Sequence, residues 1–213
     1  MTVLVTPKAL ANHTARDFCM LIDGKWEAAN SQPIERVAPS HGIVVSRYPA
    51  ATKADAERAI AAARKAFDHG PWPRMTASER SAVLLKAADI IAARSEELAY
   101  LDAIEAGKPI SQVRGEIAGS VDIWRYAAAL ARDLHGESYN TLGVVLREAI
   151  GVVSIITPWN FPFLIVGQKL PFALAAGCTT VVKPSELTSG STLLLGEILQ
   201  EAGVPDGVVN IVT

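Results

Sequence analysis

The sequence predicts an α/β fold: a parallel sheet with helices on its faces, preceded by a small β part and a helical block. Three observations carry this reading. Residues 151–213 alternate short runs rich in Val and Ile with apolar helical patterns, in the order β-α-β-α-β. Such alternation indicates parallel strands joined by crossover helices. Residues 51–136 hold one helical pattern after another, with capping signals at the starts. Residues 20–49 read as short strands broken by turn residues.

Taken in order, Leu21-Ile22-Asp23-Gly24-Lys25-Trp26 sets an Asp-Gly pair between apolar residues, a strong hairpin signal. Residues 37–48 hold a second candidate pair around Ser40-His41-Gly42. Thr52 with Asp55 at the third position is a weaker capping box, and Ala56, Ala59, Ile60, Ala63 and Phe67 supply the apolar face of the helix it opens. Gly70-Pro71-Trp72-Pro73 ends that helix. Thr76-Ala77-Ser78-Glu79 is a cleaner box, opening a helix with Val83, Leu84, Ala87 and Ile91 on one side. A third helix over 96–106 is stopped by Gly107-Lys108-Pro109. A fourth over 110–134 packs through Val113, Ile117, Val121 and Trp124, and Gly136 closes it. Gly115 and Gly119 each weaken that helix by roughly 1 kcal/mol against alanine, which predicts close helix packing there. Residues 142–147 read as a strand.

The last part is strand (151–156), polar turn (Thr157-Pro158-Trp159-Asn160), helix (163–176, ended by Gly177), strand (178–182) and a second polar turn (Lys183-Pro184-Ser185-Glu186). Thr188 is the expected cap of a helix through Leu193, Leu194, Ile198 and Leu199 to Gly203. Val204-Pro205-Asp206-Gly207 then turns the chain into a buried strand over 208–212. Polar turns at the carboxyl ends of successive parallel strands are where open α/β sheets bind ligands.

Composition excludes several classes. Half of the 213 residues are hydrophobic, a fifth are charged, and the net charge is −2 without a basic block. A nucleic-acid partner therefore has no electrostatic footprint. Cys19 and Cys178 lie far apart without CxxC spacing, so neither a zinc site nor a disulfide framework is indicated. That suits a reducing compartment, most simply the cytoplasm. The amino-terminal apolar run is too short for a secretory signal. Residues 149–168 carry no charge over a length that could cross a bilayer. Pro158, Asn160 and Pro162 would break such a helix, and Val152, Val153, Ile155 and Ile156 favour a strand, so a buried strand-turn-helix is the better account and no membrane partner is expected. His13, His41, His69 and His135 are scattered, and no metal is expected. No G-x-G-x-x-G, P-loop, H-E-x-x-H or G-x-S-x-G pattern occurs.

Thr157-Pro158-Trp159-Asn160-Phe161-Pro162, Lys183-Pro184-Ser185-Glu186 and Gly203-Val204-Pro205-Asp206-Gly207-Val208-Val209-Asn210 resemble the aldehyde dehydrogenase superfamily. Ile22-Asp23-Gly24-Lys25-Trp26, Met75-Thr76-Ala77-Ser78-Glu79-Arg80 and Ala106-Gly107-Lys108-Pro109 match its amino-terminal half in order and spacing. The resemblance covers almost the whole chain and implies the amino-terminal part of that fold, with a parallel Rossmann-like sheet incomplete at its carboxyl end. It divides the chain into an amino-terminal β segment (1–50), a helical block (51–136), an oligomerisation-type strand extension (137–150) and the first β-α-β-α-β part of the dinucleotide-binding domain (151–213). It implies NAD(P)-dependent oxidation of an aldehyde to a carboxylic acid through a cysteine thiohemiacetal and thioester, by a protein whose full-length form is a homo-oligomer.

By the same resemblance Asn160 stabilises the oxyanion, its amide N–H being a neutral donor that cannot lose a proton near neutral pH. The bland alternative is an asparagine capping the next helix. Lys183, Ser185 and Glu186 fall at the adenosine ribose, where a carboxylate welcomes a 2′-hydroxyl and repels a 2′-phosphate, favouring NAD over NADP. Their alternative is a solvated charge pair at a helix start. Ile156, Thr157 and Trp159 would line the cofactor, or else serve as core and turn packing. Lys169 matches a lysine used in proton relay, or else snorkels to solvent. The nucleophilic cysteine, the general base and the nicotinamide loop have no counterpart in this sequence, and Cys178 reads as a small buried hydrophobe. The 213-residue chain alone is thus expected to be inactive toward aldehydes. A non-catalytic truncated dinucleotide-binding or interaction module is the alternative, and a truncated product with an exposed sheet edge is another.

Overall fold

The computed structural model describes residues 14–28, 31–133 and 138–213, with only the backbone of Ser138–Asn140. The expectations placed on His13, His135, Gly136 and the end of the fourth helix at Leu134 lie outside the described residues.

The main sheet has five strands in the order β3-β2-β10-β9-β8. Strands β8 (Val152–Ile156), β9 (Thr179–Lys183) and β10 (Val209–Ile211) run parallel, as expected from their β-branched content. The outer edge of β10 carries an antiparallel hairpin, β2 (Met20–Ile22) and β3 (Lys25–Glu27). Its two turn residues both have positive φ, Asp23 at 51° and Gly24 at 77°, as a tight hairpin turn requires. A Cβ on Gly24 would also stand 2.1 Å from Asp206 Oδ1, and the Asp23 N–H is held by Asn210 Oδ1 at 2.9 Å. A second sheet joins β1 (Arg16–Asp17), β5 (Val44–Tyr48) and β4 (Ile34–Val37). The strands foreseen over 20–49 are therefore divided between two sheets. Strands β6 (Ser138–Asn140) and β7 (Gly143–Val145) form a separate hairpin.

Helix α1 (Lys53–His69) covers one face of the main sheet, capped by Thr52 and Asp55 in a full box. Its buried face is Ala59, Ala62, Ala63 and Ala66; the first three pack with Met20, Ile22, Val181 and Val212, and Ala66 joins the larger core. Ile60 was expected on that face but is 52% exposed, because the buried stripe runs through 59, 62, 63 and 66. The opposite face meets α7 (Gly190–Ala202), backed by α2 (Ala77–Ala93), α3 (Ser95–Ala106) and α4 (Ile110–Ala131). Alternation along β9 sets the two sides: Val181 faces α1, while Val182 joins the larger core with Leu84, Trp124, Leu174 and Leu194. This three-layer arrangement is the expected fold class.

Three local expectations are corrected. A Cβ at Gly115 or Gly119 would meet nothing within 4 Å, so neither marks a close helix contact; Gly115 faces solvent. The single helix expected over 163–176 is two short ones, α5 (Pro162–Gly167) and α6 (Leu170–Ala175). Pro171 has no N–H to continue the helix, and Lys169 leaves helical geometry at φ −126°. Finally α7 begins after Ser189 without a side-chain cap, and Thr188 is used elsewhere. The uncharged window 149–168 is strand, turn and short helix, and no helix among the described residues is long and apolar enough to cross a membrane.

Candidate active site

Parallel pairing brings the two polar turns together. Ile156 at the end of β8 is in register with Lys183 at the end of β9, and the Thr157 N–H donates to the Lys183 carbonyl at 3.2 Å. One strand further the chain turns through Pro158, Trp159 and Asn160 into α5; the other turns through Pro184, Ser185 and Glu186 into α7. Thr188 Oγ1 donates to the Trp159 carbonyl at 3.2 Å and so ties one turn to the other. Within the second turn Ser185 is the hub: its carbonyl accepts from Ser189 Oγ at 2.8 Å and Thr188 N–H at 3.1 Å, and its Oγ accepts from Leu187 N–H at 3.3 Å.

The surface at these strand ends is open. Ile156 is 71% exposed and Trp159 52%, so among the described residues neither side chain is packed into the core. Thr157 is buried, and among the described residues its Oγ1 has no hydrogen-bond partner. Glu186 is exposed, and among the described residues its carboxylate meets only Ser185 Oγ, at 3.5 Å. Lys183 Nζ donates to the carbonyl of Pro184 at 3.3 Å. Among the described residues neither Lys183 nor Glu186 makes an ion pair, and α7 has no acidic residue in its first turn. The alternative of a charge pair serving a helix start therefore finds no support. Asn160 is exposed too, and the residue preceding α5 is Phe161, without a side-chain cap. The asparagine amide is not spent on capping.

Lys169 is exposed at the break between α5 and α6. Among the described residues no hydrogen bond or ion pair links it to the Asn160 turn. Cys178 is buried just before β9, and Cys19 lies just before β2; neither thiol stands at the two turns. Among the described residues no cluster of His, Cys, Asp and Glu could hold a metal ion.

The support beneath the turns escaped the sequence reading. It comes from the end of α3 and the residues after it. Asp102, fully buried, accepts from the Phe163 N–H at the start of α5 through Oδ2 at 3.3 Å. Glu105, also fully buried, accepts from Ser46 Oγ and the Tyr48 hydroxyl through Oε1, and from the Gly190 N–H at the start of α7 through Oε2 at 3.2 Å. Burial pushes the Asp102 carboxyl up to about 6 and that of Glu105 up to about 7. Lys108 Nζ reaches Glu116 at 2.5 and 2.6 Å and the Asn160 carbonyl at 3.1 Å, and it lies 4.1 Å from the Phe161 ring centre. A cleft of about 320 Å3 lined by Ser40, His41, Tyr100, Ile104 and Ile110 shares Lys108 with this arrangement. A signal for the two carboxylates was available: Asp102 and Glu105 fall four residues after Leu98 and Leu101, on the apolar face of α3.

Residues 26–213 match the model of the aldehyde dehydrogenase family. Aldehyde dehydrogenase family 2 member C4 of Arabidopsis thaliana is 44% identical over 201 residues, covering 91% of this chain and 40% of its own length. An NADP/NAD-dependent aldehyde dehydrogenase of Escherichia coli is 38% identical, with 91% and 40% covered. The crystal structure of an NAD-dependent aldehyde dehydrogenase from Sinorhizobium meliloti superposes with a TM-score of 0.94 at 50% identity, covering 99% of this chain and 43% of that one. The chain thus spans about 40% of the length of the relatives it matches, in their amino-terminal portion. A family match over nearly all of the sequence, agreeing with a fold that sets two polar turns side by side, places this chain in the aldehyde dehydrogenase family.

Proposed function

We propose that these residues are the amino-terminal portion of an enzyme that oxidises an aldehyde to a carboxylic acid with NAD. In this reading Asn160 donates its amide N–H to the developing oxyanion of a cysteine-bound intermediate. Lys183, Ser185 and Glu186 hold the adenosine ribose, and Ile156, Thr157 and Trp159 line the dinucleotide. The observation that carries it is the register of Ile156 with Lys183, which sets the Asn160 turn beside the Lys183–Glu186 turn. A dinucleotide supplies the hydride acceptor when bound, and the residues present fit its adenosine half. Among the described residues Thr157 Oγ1 is a buried polar atom without a hydrogen-bond partner, and the exposed Glu186 carboxylate meets no cation.

Among the described residues no cation is paired to Glu186, so its charge opposes a 2′-phosphate while its oxygens accept from a 2′-hydroxyl; this supports NAD over NADP. Lys169 keeps the proton-relay role by resemblance only. Because no thiol stands at the turns, we propose that the 213 residues alone bind the dinucleotide without oxidising aldehyde. The β6–β7 hairpin and its continuation expose Leu142, Val144, Leu146 and Ile150, a surface suited to contact between copies in a full-length homo-oligomer.

Two measurements test the reading. Titration with NAD and NADP should show tighter NAD binding, with the preference lost in Glu186→Gln; equal binding of both by the parent chain would refute the ribose assignment. In the full-length form Asn160→Ala should lower kcat by about 100- to 1,000-fold with NAD binding intact. A kcat unchanged by that substitution would remove the oxyanion role.

A further inference from the structure

We propose that Lys108 is a positioning residue for Asn160: its ammonium, clamped by Glu116, fixes the Asn160 carbonyl and thereby aims the side-chain amide. The inference rests on the reading of Asn160 as the oxyanion donor.

The geometry of Lys108 leaves it little freedom. An ammonium has three donors and no acceptor. Two go to the oxygens of Glu116 and the third to the Asn160 carbonyl, so the group is saturated. Both ends of the ion pair are shielded, with 13% of the Lys108 side chain and 9% of the Glu116 side chain exposed. The ammonium also lies 4.1 Å from the centre of the Phe161 ring, which immobilises the residue following Asn160. Gln112 Nε2 holds Glu116 Oε1 at 2.9 Å from within the same helix.

The backbone on either side of Lys108 is equally constrained. Gly107 adopts φ 72° to end α3, and a Cβ there would lie 2.8 Å from Pro39 Cγ. Pro109 then starts α4. The lysine is thereby mounted between two packed helices, while Asn160 sits on an exposed turn. Asp102 holds the Phe163 N–H on the far side of Asn160, and Thr188 holds the Trp159 carbonyl on the near side. The Asn160 peptide itself is gripped by Lys108. A donor aimed at an oxyanion must be in place before charge develops, and a displacement of about 1 Å can cost 100-fold in rate.

The test is steady-state kinetics of full-length Lys108→Met, Asn160→Ala and the double variant, with hydrogen exchange over residues 158–164. We expect Lys108→Met to lower kcat about 10- to 100-fold, leave KM for NAD unchanged, and speed exchange across the turn. Added to Asn160→Ala it should cost no more than about twofold, because it acts through a group already removed. Should Lys108→Met fail to fold, Glu116→Gln, which loosens the clamp but keeps the ammonium, should show a smaller loss with the same non-additivity. Wild-type kcat in Lys108→Met, or an equal fold-loss in the Asn160→Ala background, overturns the inference alone. Wild-type kcat in Asn160→Ala instead sinks the oxyanion reading beneath it.

Discussion

Glu105 offers a prediction with a defined sign and size. Its carboxyl is fully buried and titrates at about 7 against an ordinary value of 4.5. Between those values the folded chain keeps the proton while the unfolded chain has released it. The unfolded state then binds fewer protons, so stability falls as pH rises from about 4.5 to about 7 and levels off above. A gap of about 2.5 pH units, at about 1.4 kcal/mol each, amounts to about 3 kcal/mol. For a chain of this length that corresponds to roughly 6–12 °C in Tm. The surface carboxylates Asp68, Glu79 and Glu96 and the half-buried Asp55, each drawn below its ordinary value by hydrogen bonds or an arginine, act in the opposite direction and at more acid pH. The perturbation is Glu105→Gln, which keeps the shape and removes the titration. Thermal unfolding of both proteins at intervals from pH 4.5 to 8 should give a difference curve in which the parent loses that increment and the variant does not. Parallel curves would mean that the Glu105 carboxyl is solvated in the folded state, and the buried-hub account would be wrong.

Further outcomes follow from the packing. Gly115→Ala should raise stability by up to about 1 kcal/mol, since the new methyl enters open space on a helix. Gly190→Ala should lower it by about 1–3 kcal/mol, because the methyl would stand 2.5 Å from Glu105 Oε1 and 2.7 Å from Leu101 Cδ2; urea midpoints measure both. Thr188→Val removes the hydroxyl that binds the Trp159 carbonyl and should cost about 1 kcal/mol. It should also weaken NAD binding by loosening one turn from the other, and unchanged affinity would mean that the Thr188 bond is dispensable.

Much of the architecture was legible because it is written in local chemistry. The capping boxes at Thr52 and Thr76, the Asp23-Gly24 turn and the Gly107 stop each depend on residues within four positions, and all four formed as read. The β-α-β-α-β order followed from period and punctuation, and with it the neighbouring placement of the two turns. What local chemistry left undetermined was the partner of each face. Gly115 and Gly119 resembled a close helix seam, yet a Cβ at either would meet nothing within 4 Å among the described residues. The break between α5 and α6 was in fact local, since Pro171 stands in the run; the apolar period concealed it. Thr188 had the right chemistry for a cap, yet its hydroxyl donates to the Trp159 carbonyl 29 residues away, and α7 starts after Ser189.

The same distinction explains why the residues proposed to meet the ligand were easier to find than those that hold them. A turn at the end of a parallel strand must expose polar groups and interrupt the apolar pattern, so Asn160, Lys183 and Glu186 stand out in one dimension. A supporting group must instead be buried, and a buried acid or lysine looks like an error in an apolar face until its partners are known. Asp102, Glu105 and Lys108 lie 61, 85 and 52 residues from the atoms they hold at the two turns. All three belong to seven consecutive residues spanning the end of α3 and the link to α4. The spacing between the Asn160 turn and the Lys183–Glu186 turn is therefore set by the rigid end of α3 as well as by the sheet that carries both turns. If so, substitution of Asp102 or Glu105 should alter catalysis and cofactor binding together, whereas Lys108→Met and substitutions confined to one turn should alter only one of them.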